Sequence, residues 1–140
     1  MKIRNSEPTD YERVMKVMVD WWGGRDLRSR VYEDLFLHFK QTSFIVEDEK
    51  GELMAFLLGY LSQTFIHEAY INWIGVHPDH RDEGIARMLY ERFYEVARAN
   101  GRNRVTCRTA LVNQASMKWH QHIGFAVEEK NGRYFFSREI

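Results

Sequence analysis

The sequence has only one cysteine, Cys107, and only two prolines among its 140 residues. A single thiol excludes an internal disulfide and a zinc site built on paired cysteines. Within an apolar strand pattern, Cys107 is expected to be a small buried hydrophobic residue.

No apolar run approaches the roughly 20 residues that span a bilayer, and the N-terminus lacks the hydrophobic segment of a signal peptide. The sequence therefore predicts a cytoplasmic protein without a membrane partner.

Net charge is also absent, because 20 basic and 20 acidic side chains cancel. Proteins that bind nucleic acid or anionic membranes usually carry a basic excess. This balance argues against nucleic acid as the main partner. Two common phosphate-binding motifs, Gly-x-x-x-x-Gly-Lys-Ser/Thr and Gly-x-Gly-x-x-Gly, are missing as well. The chain is therefore neither a Walker-type nucleotidase nor a dinucleotide-binding protein.

A different loop is present, Arg81-x-x-Gly84-x-Ala86, between a predicted strand and a predicted helix. The first N–H groups of a helix lack partners and carry partial positive charge, so a phosphate group can bind them. Gly84 allows a close backbone approach, Ala86 keeps the first turn thin, and Arg81 adds a positive side chain. Taken alone, such a string also fits an ordinary helix start with a surface arginine.

Periodicity divides the 140 residues, 44% of them hydrophobic, into strands and helices of one domain, residues 1–140. Four helices are predicted, over 10–21, 28–40 and 84–99 and after Asn113. Thr9 and Glu12 predict a capping box for the first helix, and Gly101 ends the third. The predicted strands cover 1–5, 43–47, 52–62, 67–76, 104–109, 125–129 and 133–138. This order, βααβββαβαββ, predicts an α/β fold with a central mixed sheet and helices on both faces.

Strict alternation along the strand 67–76 predicts which side chains share a face of the sheet. One face would carry Glu68, Tyr70, Asn72, Ile74 and Val76. The other would carry His67, Ile71 and Trp73.

The order of these strands, helices and motifs resembles a known family. A strand, a Val-x-Pro-x-x-Arg-x-x-Gly-x-Ala loop and a long helix are followed by a strand, an Asn-led helix and a closing Gly124-Phe125. This succession resembles the GNAT superfamily of acyl-CoA-dependent N-acetyltransferases over nearly the whole chain. The resemblance implies acetyl-CoA as cosubstrate, no metal, and direct attack of a primary amine, on a small molecule or an exposed peptide, on the thioester. Because homodimers are common in the family, it also suggests a homodimer, with the hairpin at Phe135-Phe136 as one candidate contact.

The resemblance also implies which residues hold the cofactor. The thioester oxygen would accept the backbone N–H of Val76, and the pantetheine would run beside Ile74, Asn113 and Ser116. The pyrophosphate would lie on the loop residues Arg81, Asp82, Glu83, Gly84, Ile85, Ala86 and Arg87.

Two candidate catalytic residues come from the same comparison. Glu68 lies on the strand where family members often carry a carboxylate base, and its alternative role is that of a solvated strand start. His120 stands where the family usually has a tyrosine near the sulfur of CoA. An imidazolium is a stronger acid than a phenol, so His120 as the acid predicts activity that falls as pH rises. The alternative is that His120 only packs near the cofactor.

The acceptor site is expected in the loop after the first helix. Two adjacent tryptophans, Trp21 and Trp22, cannot both face the core of one helix. The Trp22 ring could bind a cationic amine through its π face, and Asp26 could balance the charge of that amine. The Arg25 guanidinium could bind a carboxylate through two hydrogen bonds, so an acceptor with both an amine and a carboxylate would suit this loop. The alternative is a packed loop with solvated charges.

Two other functions stay open. A non-catalytic module of the same fold that senses acyl-CoA is consistent with the missing tyrosine. Transfer to an aminoacyl-tRNA is disfavoured by the neutral charge.

Overall fold

Seven strands and four α-helices follow one another in the predicted order, in a computed structural model that describes residues 1–140. The strands are β1 (Lys2–Asn5), β2 (Phe44–Glu47), β3 (Leu53–Leu61), β4 (Glu68–Val76), β5 (Arg104–Ala110), β6 (Ala126–Lys130) and β7 (Arg133–Glu139). The α-helices are α1 (Asp10–Trp21), α2 (Asp34–His38), α3 (Ile85–Ala99) and α4 (Gln114–His122). Short 3-10 turns cover Arg28–Arg30, Lys40–Thr42 and Pro78–His80. None of the helices combines the length and the apolar character needed to span a membrane.

All seven strands form one mixed sheet in the order β1-β2-β3-β4-β5-β7-β6. Only β4 and β5 are parallel, and they pair over three residues each, from Glu68 to Tyr70 and from Arg104 to Thr106. Beyond these pairs the two strands separate toward their carboxyl ends. The middle of the sheet is therefore open at one end, which is where open α/β sheets commonly bind ligands.

A β-bulge at Asn72 changes the faces of β4. Trp73 pairs with Leu58 and Ile71 with Gly59, so Asn72 is an extra residue on this strand. A bulge moves the following side chains to the opposite face. The predicted strict alternation is therefore wrong: Ile71 and Ile74 both belong to the core beneath α3, whereas Trp73 packs on the other face.

The two faces of the sheet have separate cores. The larger core lies under α3 and α4 and includes Leu89, Phe93, Ile123 and Phe136. The smaller core lies under α1 and α2, against β2, β3 and β4. The smaller core contains no residue of β5, β7 or β6, and we refer to this side of the three strands as the uncovered face.

The second predicted helix, 28–40, is wrong in its length. Val31 is extended, with φ −100° and ψ 104°, and this conformation separates a 3-10 turn from the five residues of α2. The extended backbone turns the Val31 side chain into the smaller core, where it is 2% exposed. Tertiary burial therefore outweighs the helical spacing of the apolar residues.

The start of α1 also differs from the prediction. The Thr9 side chain makes no capping hydrogen bond, so the predicted capping box is absent. Asp10 takes its place, because its carboxylate accepts the Glu7 N–H at 2.7 Å and two hydrogen bonds from Arg4. At the end of α3 the prediction is confirmed, with Gly101 at φ 76°.

Candidate active site

The separation of β4 and β5 opens a cleft of about 550 Å³ in the middle of the sheet. Its walls come from the middle of β4, the end of β5, the start of α4 and the segment that follows α1. Because the opening passes between two strands, groups from both faces of the sheet reach it. The cleft is therefore suited to two molecules that meet from opposite sides.

The loop before α3 presents a row of unused backbone donors beside this cleft. Gly84 has φ 80° and Asp82 has φ 66°, and α3 has no side-chain cap. The N–H groups of residues 81–87 have no acceptor in the protein, since Met88 makes the first helical hydrogen bond, to Gly84 O. Alternating helical and left-handed residues form such concave donor sites for anions. This geometry fits a pyrophosphate.

The side chains of the loop take other roles. The Arg81 guanidinium donates to the carbonyl oxygens of Val76 and Trp21, so it joins the end of β4 to the end of α1. The Glu83 carboxylate lies 3.0 Å from the His80 ring. Arg87 is exposed and has no acidic partner. The donors that this loop offers to an anion are therefore mainly backbone N–H groups.

Asn113 is the N-cap of α4, as its position in the sequence indicated. Its side-chain oxygen accepts the Ser116 N–H at 3.1 Å, and its amide nitrogen donates to Thr109 at 3.3 Å. These two bonds fix the end of β5 to the first turn of α4. Asn113 and Ser116 both line the cleft.

His120 is buried in the wall of the cleft, only 5% exposed. Its Nδ1 lies 2.7 Å from the Ser116 carbonyl oxygen, which can only accept, so Nδ1 carries the proton. Its Nε2 therefore accepts, and the Tyr90 hydroxyl donates to it at 2.8 Å. Burial lowers the pKa of His120, and the Ser116 carbonyl offsets this only in part. The imidazole is neutral at pH 7.

Tyr90 is a site residue that the sequence analysis missed. It lies on the buried face of α3, where the apolar spacing indicated only core packing. A tyrosine on such a face needs a partner for its hydroxyl, and this requirement was the available signal. Burial raises the pKa of Tyr90 well above its ordinary value. Its phenol therefore stays protonated and donates.

Cys107 lies against the same pair, with its sulfur 3.5 Å from His120 Nε2. It is buried, as expected from the sequence, and burial raises the pKa of its thiol to about 12. A thiol with this pKa is protonated at neutral pH and is a poor nucleophile. The cleft therefore holds no activated cysteine.

Glu68 is placed away from His120. It begins β4 at the paired end of the two strands, and Arg104 lies 3.6 Å from its carboxylate. Together with His67 it borders a separate pocket of about 450 Å³ near the C-terminus. Glu68 does not line the cleft between β4 and β5.

The predicted acceptor residues are divided between cleft and solvent. Trp21 and Trp22 both border the cleft, but Trp21 is only 3% exposed. The Trp22 ring stacks on Trp73, with the ring centroids 5.2 Å apart, and its indole N–H donates to the Ile74 carbonyl oxygen at 3.3 Å. Arg25 lines the cleft and makes no hydrogen bond through its side chain. Asp26 lies outside the cleft and accepts two hydrogen bonds from the Arg28 guanidinium and one from the Arg28 backbone N–H, which lower the pKa of its carboxyl to about 2.

No group of three or more histidine, cysteine, aspartate or glutamate side chains is arranged to hold a metal ion. The polar side chains that line the cleft are instead arginines, two asparagines, Thr109, Ser116 and the buried Tyr90–His120 pair.

The sheet opens between its two parallel strands, and a loop of free backbone donors precedes α3 beside this opening. The sequence from residue 8 to residue 125 matches the model of the acetyltransferase (GNAT) family, so the chain belongs to that family.

Two curated relatives and one solved structure illustrate the similarity. The L-amino acid N-acyltransferase MnaT of Escherichia coli is 40% identical over 64 residues, 46% of this chain and 34% of the relative. The ARD1 subunit homolog of the N-terminal acetyltransferase complex of Dictyostelium discoideum is 27% identical over 74% of this chain and 52% of the relative. The matched regions thus span between a third and about half of these relatives. The PaiA N-acetyltransferase of Thermoplasma acidophilum, solved in complex with coenzyme A, has a TM-score of 0.84 at 12% identity, covering 99% of this chain and 98% of that one.

Proposed function

We propose that this protein is an N-acetyltransferase that transfers the acetyl group of acetyl-CoA to a primary amine by direct attack. The observation that carries the proposal is the set of free N–H groups of residues 81–87 beside a cleft that passes between two strands. Such a loop holds a pyrophosphate, and the cleft lets a thioester on one face of the sheet meet an amine on the other.

The residues present fit acetyl-CoA. The backbone of Asp82, Gly84 and Ala86 offers donors for its pyrophosphate, while Ile74 and Asn113 border the path of its pantetheine. When bound, the cosubstrate supplies the activated acyl group. Val76 ends β4 two residues after Ile74, which lines the cleft, and the Val76 N–H is proposed as the donor to the thioester oxygen.

His120 is proposed to exchange a proton with the departing thiolate through the Tyr90 hydroxyl. At rest the imidazole is neutral, so it cannot be the acid at the outset. Its Nε2 first takes the proton that the attacking nitrogen loses, relayed by the Tyr90 hydroxyl, and then returns that proton to sulfur by the same route. Histidine serves first as base and then as acid in this way in other acyl transfers. His120 is therefore still proposed as the acid, but it starts as a neutral imidazole and not as an imidazolium.

Glu68 remains the proposed base for the first deprotonation of the amine. No carboxylate lines the cleft, so Glu68 would act through water from the paired end of β4. Glu68→Gln should then lower kcat at neutral pH by about 100-fold, because general bases contribute on that order. Arg104→Gln is the matched control, because it removes the same ion pair and leaves the carboxylate. Equal losses in both variants would mean that Glu68 only stabilises the strand pair.

Cys107 separates direct attack from an acyl-enzyme route. Because its thiol is protonated, we expect Cys107→Ala to keep kcat within about threefold of the unmodified protein. Mass spectrometry after mixing with acetyl-CoA alone should find no increase of one acetyl group. An acetyl adduct that disappears when amine is added, and is missing in Cys107→Ala, would contradict direct attack.

The alternative is a module that binds acyl-CoA as a signal and does not turn it over. The neutral, buried His120 in place of a solvent-accessible acid favours it. Under this alternative the donor loop binds the cofactor and no acceptor is acetylated.

One experiment separates the two functions. Thiol release from acetyl-CoA is measured against a panel of amines, amino acids, polyamines and short peptides, with binding of CoA followed by calorimetry. Turnover with one acceptor class supports the transferase. Binding of CoA without turnover supports the sensor, and absence of CoA binding contradicts both.

A further inference from the structure

The cleft is strongly basic although the chain is neutral overall. Among its lining residues there is no aspartate or glutamate, and there are five arginines. These are Arg25, Arg30, Arg81, Arg108 and Arg133. Since 20 acidic side chains balance 20 basic ones in the whole chain, this excess is local to the cleft.

Two of these arginines lie on the uncovered face of the sheet, opposite His120. The Arg108 Nε donates to the Tyr70 hydroxyl at 3.1 Å, and the Tyr70 ring packs against Tyr60 on the face of the smaller core. Arg133 pairs in register with Ala110, two residues along β5 from Arg108. Side chains two apart on a strand, and those of directly paired residues, share a face. Arg108 and Arg133 are therefore diagonal neighbours.

Arg25 and Arg30 approach from the segment between α1 and α2. In the same segment Arg28 is neutralised by two hydrogen bonds to Asp26. Arg25 and Arg30 have no such acidic partner. The two arginines of this segment that line the cleft are therefore both without an ion pair.

None of the four has an acidic side chain within 4.0 Å, the distance at which the ion pairs of this protein occur. The Trp73 indole N–H in the same wall also lacks an acceptor. Clustered guanidinium groups repel one another, and each matches a carboxylate through two parallel hydrogen bonds. This wall therefore offers donors and positive charge and needs an anion to balance them.

The geometry points to an acceptor that carries carboxylates beside its amine, which we propose is recognised by Arg25, Arg30, Arg108 and Arg133. The inference rests on the proposed transferase function and names its substrate class. A pyrophosphate has its own donors at the start of α3, where Arg87 also lies, so these four arginines are free for the acceptor. Two sources share this chemistry: a free dicarboxylic amino acid, and a short peptide whose first residues are acidic.

The first test compares acceptors that differ only in charge. We measure kcat/KM at saturating acetyl-CoA for glutamate against glutamine, and for a tetrapeptide beginning Glu-Glu against one beginning Gln-Gln. The acidic member of at least one pair should be preferred by about tenfold or more, as expected for a charge-assisted pair. The pair that shows the preference identifies the source. Equal use of acidic and neutral acceptors would overturn the inference while leaving the transferase intact.

The second test uses the arginines. Arg108→Gln and Arg133→Gln should each raise KM for the acidic acceptor by about tenfold, with kcat and the Kd of CoA nearly unchanged. Arg98→Gln, an exposed change on α3 outside the cleft, is the matched control. If the Arg108 and Arg133 variants weaken CoA binding instead, these side chains serve the cofactor and the inference fails.

Binding can also be followed without turnover. Calorimetric titration of glutamate, or of the acidic peptide, into protein saturated with CoA should give heat that is lost in Arg108→Gln and retained in Arg98→Gln. This result would support the anion site even if no thiol is released, a case in which only the transferase proposal fails. No binding of any acidic acceptor to the CoA-saturated protein would overturn the inference.

Discussion

Tyr90→Phe should lower kcat by about 100-fold, the usual scale of a lost proton-transfer group, and should leave the Kd of CoA within about threefold. The ring of Tyr90 packs against Trp119 and Phe125, and phenylalanine preserves these contacts while it removes the hydroxyl. The proton route to His120 is then broken. Stopped-flow measurement of thiol release at saturating substrates gives kcat, and calorimetry gives the affinity.

The partner substitution, His120→Phe, should have a similar effect, and the double variant should be little worse than either single one. Residues that act as a unit are strongly non-additive. Phe136→Leu is the control for packing, because the Phe136 ring stacks on His120 at 4.2 Å but carries no proton. It should reduce stability with little loss of kcat. Additive losses, or an equal loss in Phe136→Leu, would count against a proton route through this pair.

The pH profile distinguishes the two protonation states of His120. Burial lowers its pKa, so the neutral form persists to more acid pH than for a free histidine. The His120-dependent part of kcat, taken as the ratio to His120→Phe, should therefore stay constant above pH 7 and decline as pH falls through the lowered pKa. The stability that depends on neutral His120 follows the same sign, because the unfolded chain takes up the proton more readily and stability is lost below pH of about 6.5. A ratio that declines as pH rises would restore the imidazolium acid expected from the sequence.

Gly84→Val should weaken CoA binding by about 10- to 100-fold. A β-branched residue at φ 80° is strained by about 1–3 kcal/mol, and about 1.4 kcal/mol corresponds to a tenfold change in affinity. Relief of this strain would turn the N–H groups of residues 81–87 away from a common centre. No atom lies within 4 Å of a Cβ built on Gly84, so the effect comes from the backbone alone.

Gly101→Val is the matched control at the other end of α3. Gly101 has φ 76° and is equally unobstructed, so both variants should lose similar stability in thermal unfolding. Only Gly84→Val should lose affinity in calorimetric titration of CoA. Similar affinities for the two variants would separate the donor loop from cofactor binding.

Element order, the donor loop and the cap at Asn113 could be predicted from the sequence because each depends on local chemistry. Helical spacing, strand alternation and a glycine before a helix act within a few residues along the chain. The interruption at Val31 could not be predicted in this way, because burial in the smaller core decides its conformation. The bulge at Asn72 likewise depends on the register with β3.

The candidate site was predictable only where a residue lies near its partner in sequence. His120 lies in the wall of the cleft, and its protonation state depends on Tyr90, which is 30 residues away and on another helix. Arg108 and Arg133 were missed because nothing in their local sequence shows that both project from one uncovered face. Glu68 was predicted from its position on β4. It lies at the end of this strand that pairs with β5, whereas the cleft opens where the two strands separate.

The short pairing of β4 with β5 divides the sheet into a four-stranded and a three-stranded half that share only three residue pairs. Because so few strand pairs join the two halves, their spacing also depends on the side chains that pack across both of them. Tyr90 belongs to α3, which packs on β3 and β4, and His120 belongs to α4, which packs on β6. The aromatic rings around Tyr90 and His120 therefore connect the two halves of the sheet. The same rings surround the proposed proton route and set the distance between the two halves.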